Sequence, residues 1–264
     1  MNFFISIIMS KEKINLYYFH EKCQHGNFGD ELSKFIVQKL INKNKYELVF
    51  NQQNIEKNLI AIGSYLHVAR NNYYIYGTGL RTNPPIEGAL NIKNLHISAC
   101  RGPKTYDFLK NERNLNCPQI FGDPALLLNE FYKPKIKEHL KNKIVIVPHK
   151  SHYGHYKKLS LDPKFVVINP RDPWTEVVNN IYSAKAIISS SLHGIIIGDT
   201  YKKPNIMLCE FELTEGKFKF QDYYSSQKRP FIYIKHLKEF DEKLLYNGGN
   251  KIDLKKLKNA FPFK

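Results

Sequence analysis

Apolar runs that do not alternate with polar positions recur along this chain, each followed by small or polar residues. Ile144–Val147, Phe165–Ile168, Ala186–Ser189 and Asn205–Leu208 are of this kind in the second half. Such runs are expected of strands covered on both faces, and hence of a parallel sheet. In the first half Ile14–Phe19, Tyr46–Phe50, Leu59–Ile62, Tyr73–Tyr76, His96–Ala99 and Gln119–Phe121 read as strands. Between strands the apolar spacing becomes helical, at Leu32, Phe35, Ile36 and Leu40 and again at Trp174, Val177, Val178 and Ile181. Asp172 is placed to cap the second of these helices with Pro173 at its first position, and Pro103 suits the first turn of another.

Strands alternating with helices in both halves predict an α/β protein of two Rossmann-like domains facing across a cleft. The alternation fails between Phe131 and Lys143, a charged stretch containing Pro134 that reads as the linker. The domains are then residues 1–135 and 136–264. Leu254, Leu257 and Phe261 predict a last helix, expected to pack back on the N-terminal domain. The 264 residues are enough for substantial cores.

Composition changes this picture little. Forty Lys+Arg against 24 Asp+Glu give a net charge of +16, which favours anionic partners such as phosphorylated metabolites, nucleic acid or an acidic membrane face. The lysines are scattered, and no zinc-finger, aromatic RNA-binding or basic-zipper pattern accompanies them, so a nucleic-acid partner is not expected. Cys23, Cys100, Cys117 and Cys209 are far apart and form no CxxC pair, which argues for reduced thiols and a cytoplasmic protein. The apolar start, Phe3–Met9, is too short for a membrane span and lacks a basic flank.

Candidate chemistry gathers after strands, where an open parallel sheet places its binding crevice. The richest stretch is Ala186-Ile-Ile-Ser-Ser-Ser-Leu-His-Gly-Ile-Ile-Ile197. Its plain reading is that Ser190 or Ser191 caps a helix and His193 is a first-turn residue. Its functional reading is an anion site at the helix N-terminus beside an imidazole. Arg101 precedes a proline-started helix, where a fixed cation suits an anion bound between the two or is an exposed helix-start residue. Asn27 and Asp30 stand at the first helix start, where Asp30 is a cap or a group that orients or deprotonates a hydroxyl. His149, His152 and His155 are three apart with no carboxylate at matching spacing, so they read as a loop lining the cleft and no metal is expected. The glycine turns match neither the dinucleotide fingerprint nor the phosphate loop, and no nucleophile elbow is present.

Taken together, Gly26-Asn-Phe-Gly-Asp-Glu31, Gly63-Ser64, Tyr76-Gly-Thr-Gly-Leu80, Arg101-Gly-Pro103, Gly122-Asp-Pro-Ala-Leu-Leu127, Pro148-His149, Asn169-Pro-Arg-Asp-Pro173, Ser189-Ser-Ser-Leu-His-Gly194 and Lys219-Phe-Gln-Asp-Tyr-Tyr224 resemble the polysaccharide pyruvyl transferase family, in its exopolysaccharide-decorating branch. The resemblance implies a GT-B-like fold with the donor on the C-terminal side and the acceptor on the N-terminal side. It implies transfer of a pyruvyl group from phosphoenolpyruvate to two hydroxyls of a glycan acceptor, free or lipid-linked, with no cofactor. Carried over by motif, Arg101 and Ser191-Leu192-His193 would hold the donor, with His193 as general acid and Asp30 as orienting group or base. Asn27, Gly63, Ser64, Gly77, Thr78, His149, Lys150, Arg171 and Ser190 complete the expected substrate contacts. Many members carry arginine where this chain has Ser191, and Lys150 or Arg171 is expected to supplement Arg101 in its place. The basic surface would suit peripheral contact with the anionic inner face of a membrane. A GT-B glycosyltransferase using a nucleotide sugar is the alternative, against which stands the lack of an acidic ribose partner after a second-domain strand.

Overall fold

A computed structural model describes residues 10–20, 26–83, 85, 92–211 and 217–264. The early apolar stretch Phe3–Met9, Cys23 and His25 lie outside the described residues.

Two five-stranded parallel sheets organise the chain. The first comprises β1 (Glu12–Tyr17), β2 (Tyr46–Phe50), β3 (Lys57–Ile60), β4 (Tyr73–Tyr76) and β5 (Leu95–Ala99), in the order β2-β1-β3-β4-β5. The second comprises β6 (Ile144–Val147), β7 (Phe165–Val167), β8 (Ala186–Ser189), β9 (Asn205–Leu208) and β10 (Tyr233–Ile234), in the order β10-β9-β8-β6-β7. Every residue of β6, β8 and β9 is buried, so the unbroken apolar runs do mark central parallel strands. Gln119–Phe121 does not form the expected strand: Phe121 makes one isolated bridge to Cys100, beyond the end of β5. Flanking Pro118 and Gly122 leave too short a run to extend the ladder.

The α-helices among the described residues are α1 (Phe28–Leu40), α2 (Pro103–Asp107), α3 (Leu128–Phe131), α4 (Tyr153–Lys157), α5 (Trp174–Ser183), α6 (Leu192–Thr200), α7 (Phe218–Ser226) and α8 (Leu254–Asn259). Asp172 does not cap α5. Its carboxylate accepts from Asn169 Nδ2 at 2.8 Å, and Pro173, with no N–H of its own, occupies the cap position. The periodic face of α1 meets that of α5, where Phe28, Leu32 and Ile36 share one core with Val177, Val178 and Ile181. The Phe35 and Trp174 rings lie 4.6 Å apart at the edge of this core. Leu257, Phe261 and Phe263 at the chain's end pack among Ile14, Leu16 and Tyr76, and the Tyr76 hydroxyl donates to the Leu257 carbonyl. Among the described residues no helix is long and apolar enough to cross a membrane.

In each sheet the chain reverses its direction of travel beside one strand, between β1 and β3 in the first and between β6 and β8 in the second. A doubly wound sheet opens a crevice at the carboxyl ends of such a strand pair, because the connections leave on opposite faces.

Candidate active site

One cavity of about 100 Å³ receives the loops from both switch points. Phe19 follows β1, Asn27 and Asp30 begin α1, and Gly63, Ser64 and Tyr65 follow β3. From the second sheet come His149 and Lys150 after β6, and Ser191, Leu192 and His193 after β8. Arg81, further along the loop after β4, and Lys219 of α7 complete the wall.

Asn27 is the cap of α1, its side-chain oxygen accepting from Gly29 N at 3.2 Å. Asp30 is therefore released from capping. It is buried in the first turn, and its Oδ1 accepts from the Tyr65 hydroxyl at 2.9 Å. Gly63 takes φ +102°, where a side chain would be strained and would meet the Tyr65 ring. The turn that brings Tyr65 to Asp30 thus requires that glycine.

Burial raises the Asp30 carboxyl from its ordinary 3.8 to about 6, against the opposing pull of His193, the Tyr65 hydroxyl, Lys150 and Lys219. The folded protein therefore binds more protons at this group than the unfolded chain does between about pH 4 and 6. Stability contributed by Asp30 is present at low pH and is lost as pH rises through 6. Above that, the buried carboxylate costs about 3 kcal/mol. Asp30→Asn should consequently raise the melting temperature at pH 8, with the gain vanishing toward pH 4. A gain of equal size at both pH values would mean that Asp30 titrates normally.

After β8 the three serines divide their work. Ser191 holds the cap position of α6, as the plain reading has it, but its side chain makes no cap bond. Instead Ser189 Oγ accepts from Ser191 N at 3.0 Å, and Ser190 Oγ accepts from His149 N at 2.9 Å. Ser190 thereby ties the β6 and β8 loops together and is not part of the cavity wall. Every residue of α6 is buried, so His193 cannot swing outward. Its ring stands edge-on to Phe28, and a Cβ on Gly29 would fall 2.0 Å from Nδ1, so α1 approaches the imidazole only because residue 29 has no side chain. His193 Nε2 points inward, 3.7 Å from Asp123 Oδ2, and neither atom has a hydrogen-bond partner among the described residues.

Arg101 is not where a donor-binding arginine was expected. It is fully buried and absent from the cavity wall. Its Nε donates to Asp222 Oδ2 at 3.0 Å, Nη1 to Ser64 Oγ and Nη2 to the Leu80 carbonyl. Asp222 also accepts from Thr105 N and Thr105 Oγ1, which locks α7 to α2. With its charge matched and its fork occupied, Arg101 braces Ser64 from behind.

Gly77, at φ +82°, packs against Pro124, and Thr78 Oγ1 donates to the Gly63 carbonyl and accepts from Tyr65 N. Both shape the β3 loop without lining the cavity, and Arg171, after the edge strand β7, does not reach it either. The His152 ring lies 4.4 Å from that of Phe211, tilted by 36°, and His149 Nδ1 lies 2.7 Å from Ser151 Oγ. Phe19, Tyr65, Arg81 and Lys219 escaped sequence reasoning. Lys219 lies in a motif that was recognised, and on α7 it precedes Asp222 by one turn on the same face.

The cavity's cations are Arg81, Lys150 and Lys219, with Lys150 Nζ 4.1 Å above the Phe19 ring and Lys219 nearly buried. The N-termini of α1 and α6 add their dipoles. A family model described as polysaccharide pyruvyl transferase matches residues 16–208, a span that holds both switch points. An uncharacterized protein of Acanthamoeba polyphaga mimivirus is 28% identical over 228 residues, which cover 84% of this chain and 77% of that protein.

Proposed function

Because this chain belongs to the polysaccharide pyruvyl transferase family, we propose that it transfers a pyruvyl group from phosphoenolpyruvate to two hydroxyls of a glycan, leaving a cyclic ketal and free phosphate. The observation that carries this reading is the convergence of Arg81, Lys150 and Lys219 on the small cavity that His193 and Asp30 also line. The donor's phosphate and carboxylate bear about three negative charges near neutral pH. Helix ends supply only about half a charge each, so fixed cations must balance the rest. Arg81, Lys150 and Lys219 take the part that Arg101 does not perform, and they compensate for serine at position 191. A cavity of about 100 Å³ suits a compact anion. It lies below the ~300 Å³ at which pockets for larger ligands begin, which weighs against a nucleotide sugar in this site.

In the proposed reaction the His193 imidazolium protonates the donor's methylene carbon, and the adjacent carbon becomes oxocarbenium-like. One acceptor hydroxyl attacks there and gives its proton to Asp30, whose elevated pKa suits a base near neutrality. Phosphate then departs with the proton held by Asp30, and the second hydroxyl closes the ketal at the carbon it vacates, its proton returning to His193. The two sheets would form the halves of a GT-B-like layout, with the acceptor approaching from the N-terminal side, and no cofactor beyond the donor is required.

Incubation with phosphoenolpyruvate and galactose-, glucose- or mannose-type acceptors should release phosphate only when donor and acceptor are both present. Thermal stabilisation by nucleotide sugars but not by phosphoenolpyruvate would refute the assignment. Lys219→Gln, which removes the charge but keeps a flexible polar side chain, should raise the donor KM by about 10- to 100-fold, as loss of one charge-assisted contact predicts. The kcat should change far less, and steady-state kinetics separates the two.

A further inference from the structure

We infer that Asp123 is the positioning residue of His193, holding the proton on Nε2 and leaving Nδ1 as the nitrogen that delivers a proton into the cavity. This rests on His193 being the proton donor of the reaction proposed above. Asp123 lies in Gly122-Asp-Pro124, ahead of the buried turn Pro124–Leu127. Its carboxylate is fully buried and does two different things. Oδ1 accepts from Ala125 N at 2.9 Å and caps the turn. Oδ2 has no hydrogen-bond partner among the described residues and faces His193 Nε2, itself unpartnered, at 3.7 Å.

A buried carboxylate oxygen left unsatisfied is costly, so the facing ring nitrogen is its natural donor. At 3.7 Å the two atoms face each other without a hydrogen bond, and a shift of a few tenths of an ångström makes one, as catalytic contacts tighten when substrate closes the site. A second carboxylate, Asp30, also lies near His193, but its Oδ1 is engaged by Tyr65 and it lines the cavity. Lys150 and Lys219, the cations nearest that side, would oppose a charged imidazole there, whereas Asp123 supports it from within. With Nε2–H fixed toward Asp123, Nδ1 is the ring nitrogen left on the α1 side, where Gly29 lies against it and where Asn27 and Asp30 at the start of α1 line the cavity. When the imidazolium gives up its Nδ1 proton, the electron pair remains on Nδ1 and the other proton stays on Nε2, directed at the Asp123 carboxylate.

The test uses the full chain labelled with 15N-histidine, with the His193 signal identified by its loss in His193→Gln. At alkaline pH, where imidazoles are neutral, wild-type His193 should carry its proton on Nε2. In Asp123→Asn the side-chain oxygen can still cap Ala125 while the amide NH₂ faces the ring, so the proton should move to Nδ1. Asp30→Asn should leave the tautomer unchanged. In turnover assays Asp123→Asn should lower kcat by about 10²- to 10⁴-fold with the donor KM within about threefold. A wild-type Nδ1–H tautomer, or an Asp123→Asn protein with the wild-type tautomer and full kcat, would overturn the inference. The wild-type measurement needs no variant, so it decides even if Asp123→Asn folds poorly. Failure of wild-type protein to use phosphoenolpyruvate would sink the proposed reaction, yet the tautomer would still report whether Asp123 holds the ring.

Discussion

Replacing His193 with alanine is expected to lower turnover by about two to four orders of magnitude, the usual worth of a positioned general acid. The donor should still bind, because the cations that hold it belong to other elements: Arg81 to the loop after β4, Lys150 to the loop after β6 and Lys219 to α7. The loss should therefore fall on kcat, as it does when an interaction made only in the transition state is removed. The fold should survive. Among the described residues His193 Nε2 has no hydrogen-bond partner to hold α6 in place, and the flanking Ile195, Ile196 and Ile197 are anchored in the core independently. Thermal unfolding with and without phosphoenolpyruvate, run beside the phosphate-release assay, separates the effects. A variant that kept near-full turnover would end the assignment of His193 as acid, whatever its affinity for the donor.

The parts of this molecule legible in the sequence share a physical cause, and so do the parts that were not. β6, β8 and β9 begin and end where the apolar runs do, since a strand covered on both faces must be apolar throughout. Asn27, Asp30, Gly63, Ser64, His149, Lys150, Ser191, Leu192 and His193, which follow β1, β3, β6 and β8, line the cavity while Ser190 does not; strand ends and helix starts carry a local signature in glycine, serine and asparagine. Sheet order carries no such signature. Gly77 and Thr78 follow β4, Arg101 follows β5 and Arg171 follows β7, and each sat after a strand as His193 does. None of these strands belongs to a switch-point pair, and β5 and β7 are edges. Arg101 is thereby carried to the flank of the first sheet and meets Asp222 there, 121 positions away in the chain. Lys219 was missed for the converse reason. Nothing in the spacing of α7 says which sheet it crosses, yet the contact between Arg101 and Asp222 sets its azimuth and turns Lys219 into the wall.

The same contact makes Arg101→Ala the substitution with the largest expected effect on stability. Removing one partner of a buried ion pair strands the other charge, at a cost of about 3–5 kcal/mol. Asp222 would keep only its bonds from Thr105, and the Leu80 carbonyl and Ser64 hydroxyl would each lose a donor. For a chain of this size the melting temperature should fall on the order of 10 °C. Arg101→Lys should recover only part of that, because an ammonium cannot span the three partners that the guanidinium fork reaches. Adding Asp222→Asn to Arg101→Ala should restore stability relative to the single variant, since the stranded charge is gone. That positive coupling is the signature of the pair in a double-mutant cycle. Donor affinity, measured below the lowered melting temperature, should weaken modestly through the loosened Ser64. If Arg101→Ala instead abolished donor binding and left the melting temperature unchanged, the guanidinium would be contacting the donor and the bracing role would be wrong.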